Sequence, residues 1–147
     1  MKTISKFFFL FVFTLFGLIS CEDDNPPTSK TDYSSSIVGK WEFLKTGEKV
    51  NNQILWDDNI DLECGKDYIE FSQDKSYKDI NFYSGENGIC EDDVIGGIWT
   101  IKDKLITVDI TDVGDEYSFG VEILEITDSK LVVNVENEEY YWMVRKN

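Results

Sequence analysis

From Ile37 onward, apolar and aromatic residues fall in short runs at period two, and the links between those runs are brief and polar. Gln73-Asp74-Lys75, Asp103-Lys104 and Thr127-Asp128-Ser129-Lys130 are the clearest of these links. They permit only antiparallel neighbours, because a parallel crossover needs a dozen or more residues. Eight strands are predicted, at approximately 37–46, 67–72, 76–83, 97–102, 105–110, 117–126, 131–136 and 139–146. The stretch 47–66 is the least regular and is expected to be a long loop with a short helix or an extra strand. No segment sustains a helical apolar period. The expected fold is all-β, an eight-stranded antiparallel up-and-down barrel or meander. Closure would remove exposed strand edges and leave an interior for packed side chains or one small ligand.

Alternation assigns an inward face. Trp41 and Phe43, Ile69 and Phe71, Ile80 and Phe82, and Trp99 and Ile101 make one set at period two. Ile106, Val108 and Ile110, then Val121 and Ile123, then Leu131, Val133 and Val135 continue it, while Glu42, Glu70, Lys78, Glu122, Asn134 and Glu136 fall between them. Both parities are apolar at Leu124 and Ile126 and along Tyr140 to Val144, so the pattern does not choose a face there.

The 147 residues include 29 acids against 14 bases, a net charge of −15. Such a chain repels nucleic acid and anionic lipid surfaces, and no nucleic-acid partner is expected. Histidine is absent, which removes Ser–His, Cys–His and His-ligated zinc chemistry together. No catalytic residue, cofactor or metal site is predicted. Asp57, Asn59 and Asp61 imitate the first half of a calcium loop, yet Leu62 stands where its glycine is needed and Tyr68 where its bidentate glutamate belongs.

The N-terminal segment has a different character. Lys2 and Lys6 precede an uncharged apolar run from Phe7 to Ile19, of signal-peptide length and short of the roughly 20 residues of a membrane span. The run ends in Leu18-Ile19-Ser20-Cys21, which resembles the lipobox of bacterial lipoproteins. That resemblance implies cleavage after residue 20 and a lipid anchor on Cys21, and hence residence in the cell envelope as an outer-membrane lipoprotein, surface-exposed or periplasm-facing. An ordinary secretory signal with Cys21 left as a disulfide partner is the alternative. Three cysteines are an odd number, and lipidating Cys21 leaves Cys64 and Cys90 to pair. The expected organisation is therefore a leader at 1–20, a flexible acidic tether at 21–35 and one β-domain at 36–147.

Ile37-Val38-Gly39-Lys40-Trp41 resembles the Gly-x-Trp opening strand of lipocalins. The order that follows, through Asp67-Tyr68-Ile69-Glu70-Phe71 and Gly97-Ile98-Trp99-Thr100-Ile101, is similar to lipocalin-like domains of Bacteroidetes lipoproteins. The resemblance implies that a basic residue of the last strand, Arg145 or else Lys146, packs over Trp41 at the closed end. It also implies a small apolar or amphipathic ligand in the barrel, with Trp41, Phe43, Phe71, Phe82, Trp99 and Val121 as the expected lining. The competing expectation is a non-enzymatic surface module contacting protein or glycan through loops or its acidic face. Trp56, beside Asp57 and Asp58, is expected to cap the barrel mouth or to offer a sugar-stacking platform. A monomer is expected.

Overall fold

The computed structural model describes residues 32–58, 63–111, 114, 116–136 and 139–147. The predicted leader, Cys21 and most of the tether lie outside the described residues, as do Asn59, Asp61 and Leu62. Among the described residues the chain forms one helical turn and nine strands. These are α1 (Tyr33–Ser36), β1 (Gly39–Val50), β2 (Gln53–Asp58), β3 (Tyr68–Phe71), β4 (Ser76–Ser84), β5 (Cys90–Lys102), β6 (Leu105–Ile110), β7 (Tyr117–Ile126), β8 (Lys130–Val135) and β9 (Glu139–Lys146).

Consecutive strands pair antiparallel from β3 to β9, β3 pairs with β1, and β1 returns to pair with β9 over Lys40–Gly47. Eight strands, β1 and β3 to β9, thus close into a barrel. The ninth, β2, folds back on the far half of β1 through Asn51-Asn52, both at positive φ (49° and 65°), the geometry a two-residue hairpin demands and Asn tolerates. This is the extra strand allowed for in 47–66. Strand β5 starts seven residues before the predicted position 97. Its polar first half is held by pairing with Asn81–Ser84, a backbone constraint that leaves no apolar pattern to read.

One end of the barrel is plugged. Trp41 and Trp99 are completely buried there, and each indole donates to a backbone carbonyl, Trp41 Nε1 to Ile37 at 2.8 Å and Trp99 Nε1 to Ser72 at 3.1 Å. The Arg145 guanidinium lies 4.2 Å from the Trp41 ring centroid, as expected, and donates to the carbonyls of Asp128 (2.6 Å), Val38 (2.9 Å) and Ser36 (3.0 Å). Such a stack is worth about 0.5–2 kcal/mol. Room for it depends on Gly39, whose φ is +137° and where a Cβ would stand 2.3 Å from Arg145 Nη1. The glycine of the Gly-x-Trp pattern is thereby explained on two counts. Turn α1 adds to the plug. Asp32 accepts from Ser34 N at 3.0 Å, and Tyr33 packs against the core, so residues 33–35, expected in the tether, belong to the domain.

Cys64 and Cys90 form the expected disulfide, with Cα atoms 5.2 Å apart. It joins the segment before β3 to the first residue of β5, at the end of the barrel opposite the plug. A loop of this size contributes about 3.5 kcal/mol in the chain-entropy treatment.

Two bulges settle the faces that periodicity left open. Pairing of β7 with β8 shifts between Ile123 and Glu125, so Leu124 turns outward and Ile126 resumes the inward set opposite Leu131. Strand β1 shifts between Phe43 and Lys45, after which Thr46 faces Tyr141. If the plug closes as described, Gly39→Ala lowers unfolding free energy by roughly 2–3 kcal/mol in urea titration through strain and displaced Arg145. A loss under about 0.5 kcal/mol would contradict it.

Candidate functional site

The site is decided by the register of one hairpin. Ser72 N donates to the Ser76 carbonyl (3.0 Å), Lys75 N donates to Ser72 (3.1 Å), and Lys75 sits at φ 73°. Asp74 Oδ1 accepts from Ser76 N and Oγ at 3.0 and 2.7 Å. This three-residue turn pairs Phe71 with Tyr77, Ile69 with Asp79 and Tyr68 with Ile80. Directly opposed residues share a face, so Tyr77 and Asp79 point inward with Phe71 and Ile69.

That register overturns the expected parity of β4. Ile80 and Phe82 lie on the outer face, where the Phe82 ring packs 6.2 Å from Tyr68 and the Phe82 N–H donates to Asp67 Oδ1 at 2.7 Å. Phe82 is therefore not part of the interior lining. Sequence alternation misled because Ile80 is buried, at 5% exposure, on the outer side of the wall.

Between the plug and the opposite mouth lies a cavity of about 140 Å³. Phe43, Phe71 and Val121 of the expected lining border it. Trp41 and Trp99 do not; they are absorbed into the plug beneath. The sequence reading missed Tyr77, Asp79, Phe119 and Tyr141, and these give the cavity its chemical character. Phe43 and Tyr141 meet edge to face at 5.2 Å, Tyr77 and Phe119 at 6.3 Å, so the aromatic walls support one another. Toward the mouth lies a vestibule of about 470 Å³ bordered by Thr46, Glu48, Lys49, Asp57, Glu139 and Tyr141 among others, with Tyr141 common to both spaces.

Among the described residues, Asp79 is the one carboxylate on the cavity wall. Burial, then the charges of Asp67 and Asp93, push its pKa up to about 6, against the lowering effect of a 3.3 Å hydrogen bond from Asn81 Nδ2. Among the described residues no Lys or Arg nitrogen pairs with it. Burial is also the largest cause holding the Tyr141 phenol protonated, followed by the bond it donates to Glu139. Tyr83 and Tyr117 stand at the rim, about half exposed, and Tyr83 donates to Glu91 Oε2 at 3.1 Å. Trp56 does not cap the mouth. It packs edge to face against Trp142 at 5.8 Å on the outer wall, over Gly47.

Residues 37–133 match a family model described as a lipocalin-like domain. The chain belongs to the lipocalin-like domain family. A lipocalin-like protein from Bacteroides uniformis ATCC 8492 superimposes with a TM-score of 0.51 at 13% identity, covering 76% of this chain and 99% of that one. An uncharacterised protein from Bacteroides eggerthii DSM 20697 gives 0.49 at 16% identity, covering 75% and 99%. At these identities the likeness concerns the fold. No functionally curated protein matches the chain.

A carboxyl whose folded pKa exceeds its unfolded value stabilises fully below about pH 4 and loses that contribution as pH rises through about 6. Asp79→Asn is accordingly expected to raise unfolding free energy by roughly 1–2 kcal/mol at pH 8, after allowance for partial solvent screening, and by nothing at pH 3. Equal stability at both pH values, measured by chemical denaturation, would place Asp79 in water.

Proposed function

We propose that this lipocalin-like barrel binds one small amphipathic molecule through its open end, while the chain is held at the bacterial envelope by a lipid on Cys21. The observation that carries the reading is the cavity itself: aromatic on several sides, with one destabilising carboxylate and a vestibule leading outward. Among the described residues the cavity wall holds one acid, disfavoured in its charged form by burial, and perturbed groups of this kind are a mark of functional sites.

Size limits the ligand. Pockets for drug-sized molecules begin near 300 Å³, about twice this cavity, so a long acyl chain is not swallowed whole. A compact head fits, with any larger remainder in the vestibule. The reading is a binding role and not catalysis, since the wall offers no nucleophile–base pair and the sequence has no histidine. Tethering rests on Leu18-Ile19-Ser20-Cys21 and on the odd cysteine count left once Cys64 and Cys90 pair.

The smallness of the cavity favours the second reading, a solid barrel whose outer surface meets a partner. The two separate in native mass spectrometry of the chain purified from its own envelope. A co-purifying small molecule is expected, and it should vanish in Val135→Phe, which fills the cavity near the mouth. An empty barrel in both proteins supports the solid scaffold. For the anchor, Cys21→Ser should move the protein from the membrane fraction to the soluble one, and unchanged partitioning would remove the lipid from the account.

A further inference from the structure

The lining chemistry goes further than size and polarity. Resting on the interior-binding reading above, we infer that the barrel selects a cationic amphiphile, an organic ammonium whose charged end sits against Asp79 and whose apolar part packs among Phe43, Phe119 and Tyr141. Three independent features converge on this charge. First, the cavity wall presents a carboxylate with no basic side chain paired to it among the described residues, so a negative charge lacks its counter-ion. Second, the aromatic side chains Phe43, Phe71, Tyr77, Phe119 and Tyr141 share the wall with Asp79, and aromatic rings attract ammonium ions, more strongly where water is excluded. Third, the vestibule toward the mouth is lined, among the described residues, by Glu48, Asp57 and Glu139 against one base, Lys49, on a chain of net charge −15. That field concentrates cations and turns anions away.

A neutral ligand could offer Asp79 only a hydrogen bond, without the charge attraction of an ammonium, and an anionic one would meet the Asp79 carboxylate and a net-acidic vestibule. None of the groups facing Asp79 supplies a positive charge, although the Asn81 hydrogen bond partly favours its ionised form. Asp67 before β3 and Asp93 on β5 add negative charge, Asn81 donates from β4 itself, and Tyr77 and Tyr141 are neutral phenols. A bound ammonium would relieve the mutual repulsion of Asp67, Asp79 and Asp93 and draw the Asp79 pKa back down. Binding should therefore release protons when it occurs below about pH 6.

Equilibrium dialysis of the full chain, in nanodiscs with empty nanodiscs as blank, tests this with three probes of one shape: phenethylammonium, phenethyl alcohol and phenylacetate. At pH 7.5 the ammonium is expected to bind at least tenfold more tightly than the alcohol, with phenylacetate undetected. Asp79→Asn should abolish the preference while still binding the alcohol, which also reports an intact interior. Wild-type protein at pH 5 should lose most of the preference as Asp79 protonates. Equal binding of ammonium and alcohol, or a preference that survives Asp79→Asn, overturns the cationic assignment and leaves the interior-binding reading standing. If none of the probes binds, both fall.

Discussion

Closure of β1 onto β9 is the constraint on which everything else depends. Lys40 to Gly47 pair with Lys146 to Tyr140, and that ladder converts a meander with two open edges into a tube with an inside. The closure is locked at one end, where Arg145 from the last strand lies on Trp41 from the first and reaches the carbonyls of Ser36 and Val38. Because Gly39 has no side chain, the guanidinium can occupy the space beside the opening strand. Once the base is sealed, a ligand has only the opposite end to enter. At that end the disulfide ties the segment before β3 to β5.

The interior then grades along the barrel axis from plug to mouth. Trp41, Trp99, Ile106 and Leu131 are packed without solvent at the base. Above them Phe43, Phe119, Tyr141 and Asp79 surround space, and Glu139 of the vestibule and Asp93 of β5 add further negative charge. Burial contributes stability at the first level, since each large apolar side chain removed from water is worth about 1.5–3 kcal/mol. At the second and third levels the wall gives some of this back by holding a carboxylate where its charged form is disfavoured.

The strand framework, the seat of Arg145 on Trp41 and the disulfide were legible in sequence, from short polar links, the resemblance at Gly39-Lys40-Trp41 and the cysteine count, whereas Trp41 and Trp99 were expected to line the ligand space and lie in the plug instead. The inward set was legible on most strands. It failed on β4, where two apolar residues, Ile80 and Phe82, fall on the outer face and a carboxylate falls on the inner one. Hydrophobic alternation is only a proxy for register. The turn sets register directly, and the three residues Gln73-Asp74-Lys75 force Ser72 to oppose Ser76 and so pair odd positions with odd ones. That count was available in the sequence and outranks the apolar pattern when the two disagree. The early start of β5 was not available, because its polar half is defined only by its partner. Trp56 was misplaced for a related reason: its partner Trp142 lies far away in sequence and meets it only after β1 closes on β9.

Everything proposed for the interior depends on Asp79 facing inward in a partly dry, negatively charged setting. The most direct test is a carbon-detected NMR titration of the Asp79 side-chain carboxyl in the ligand-free protein. The account predicts a midpoint at about pH 6, displaced upward by burial and by Asp67 and Asp93. A midpoint near 3.8, the ordinary value of an aspartate, would show a solvated carboxylate, contradicting the register and the proposed binding site together.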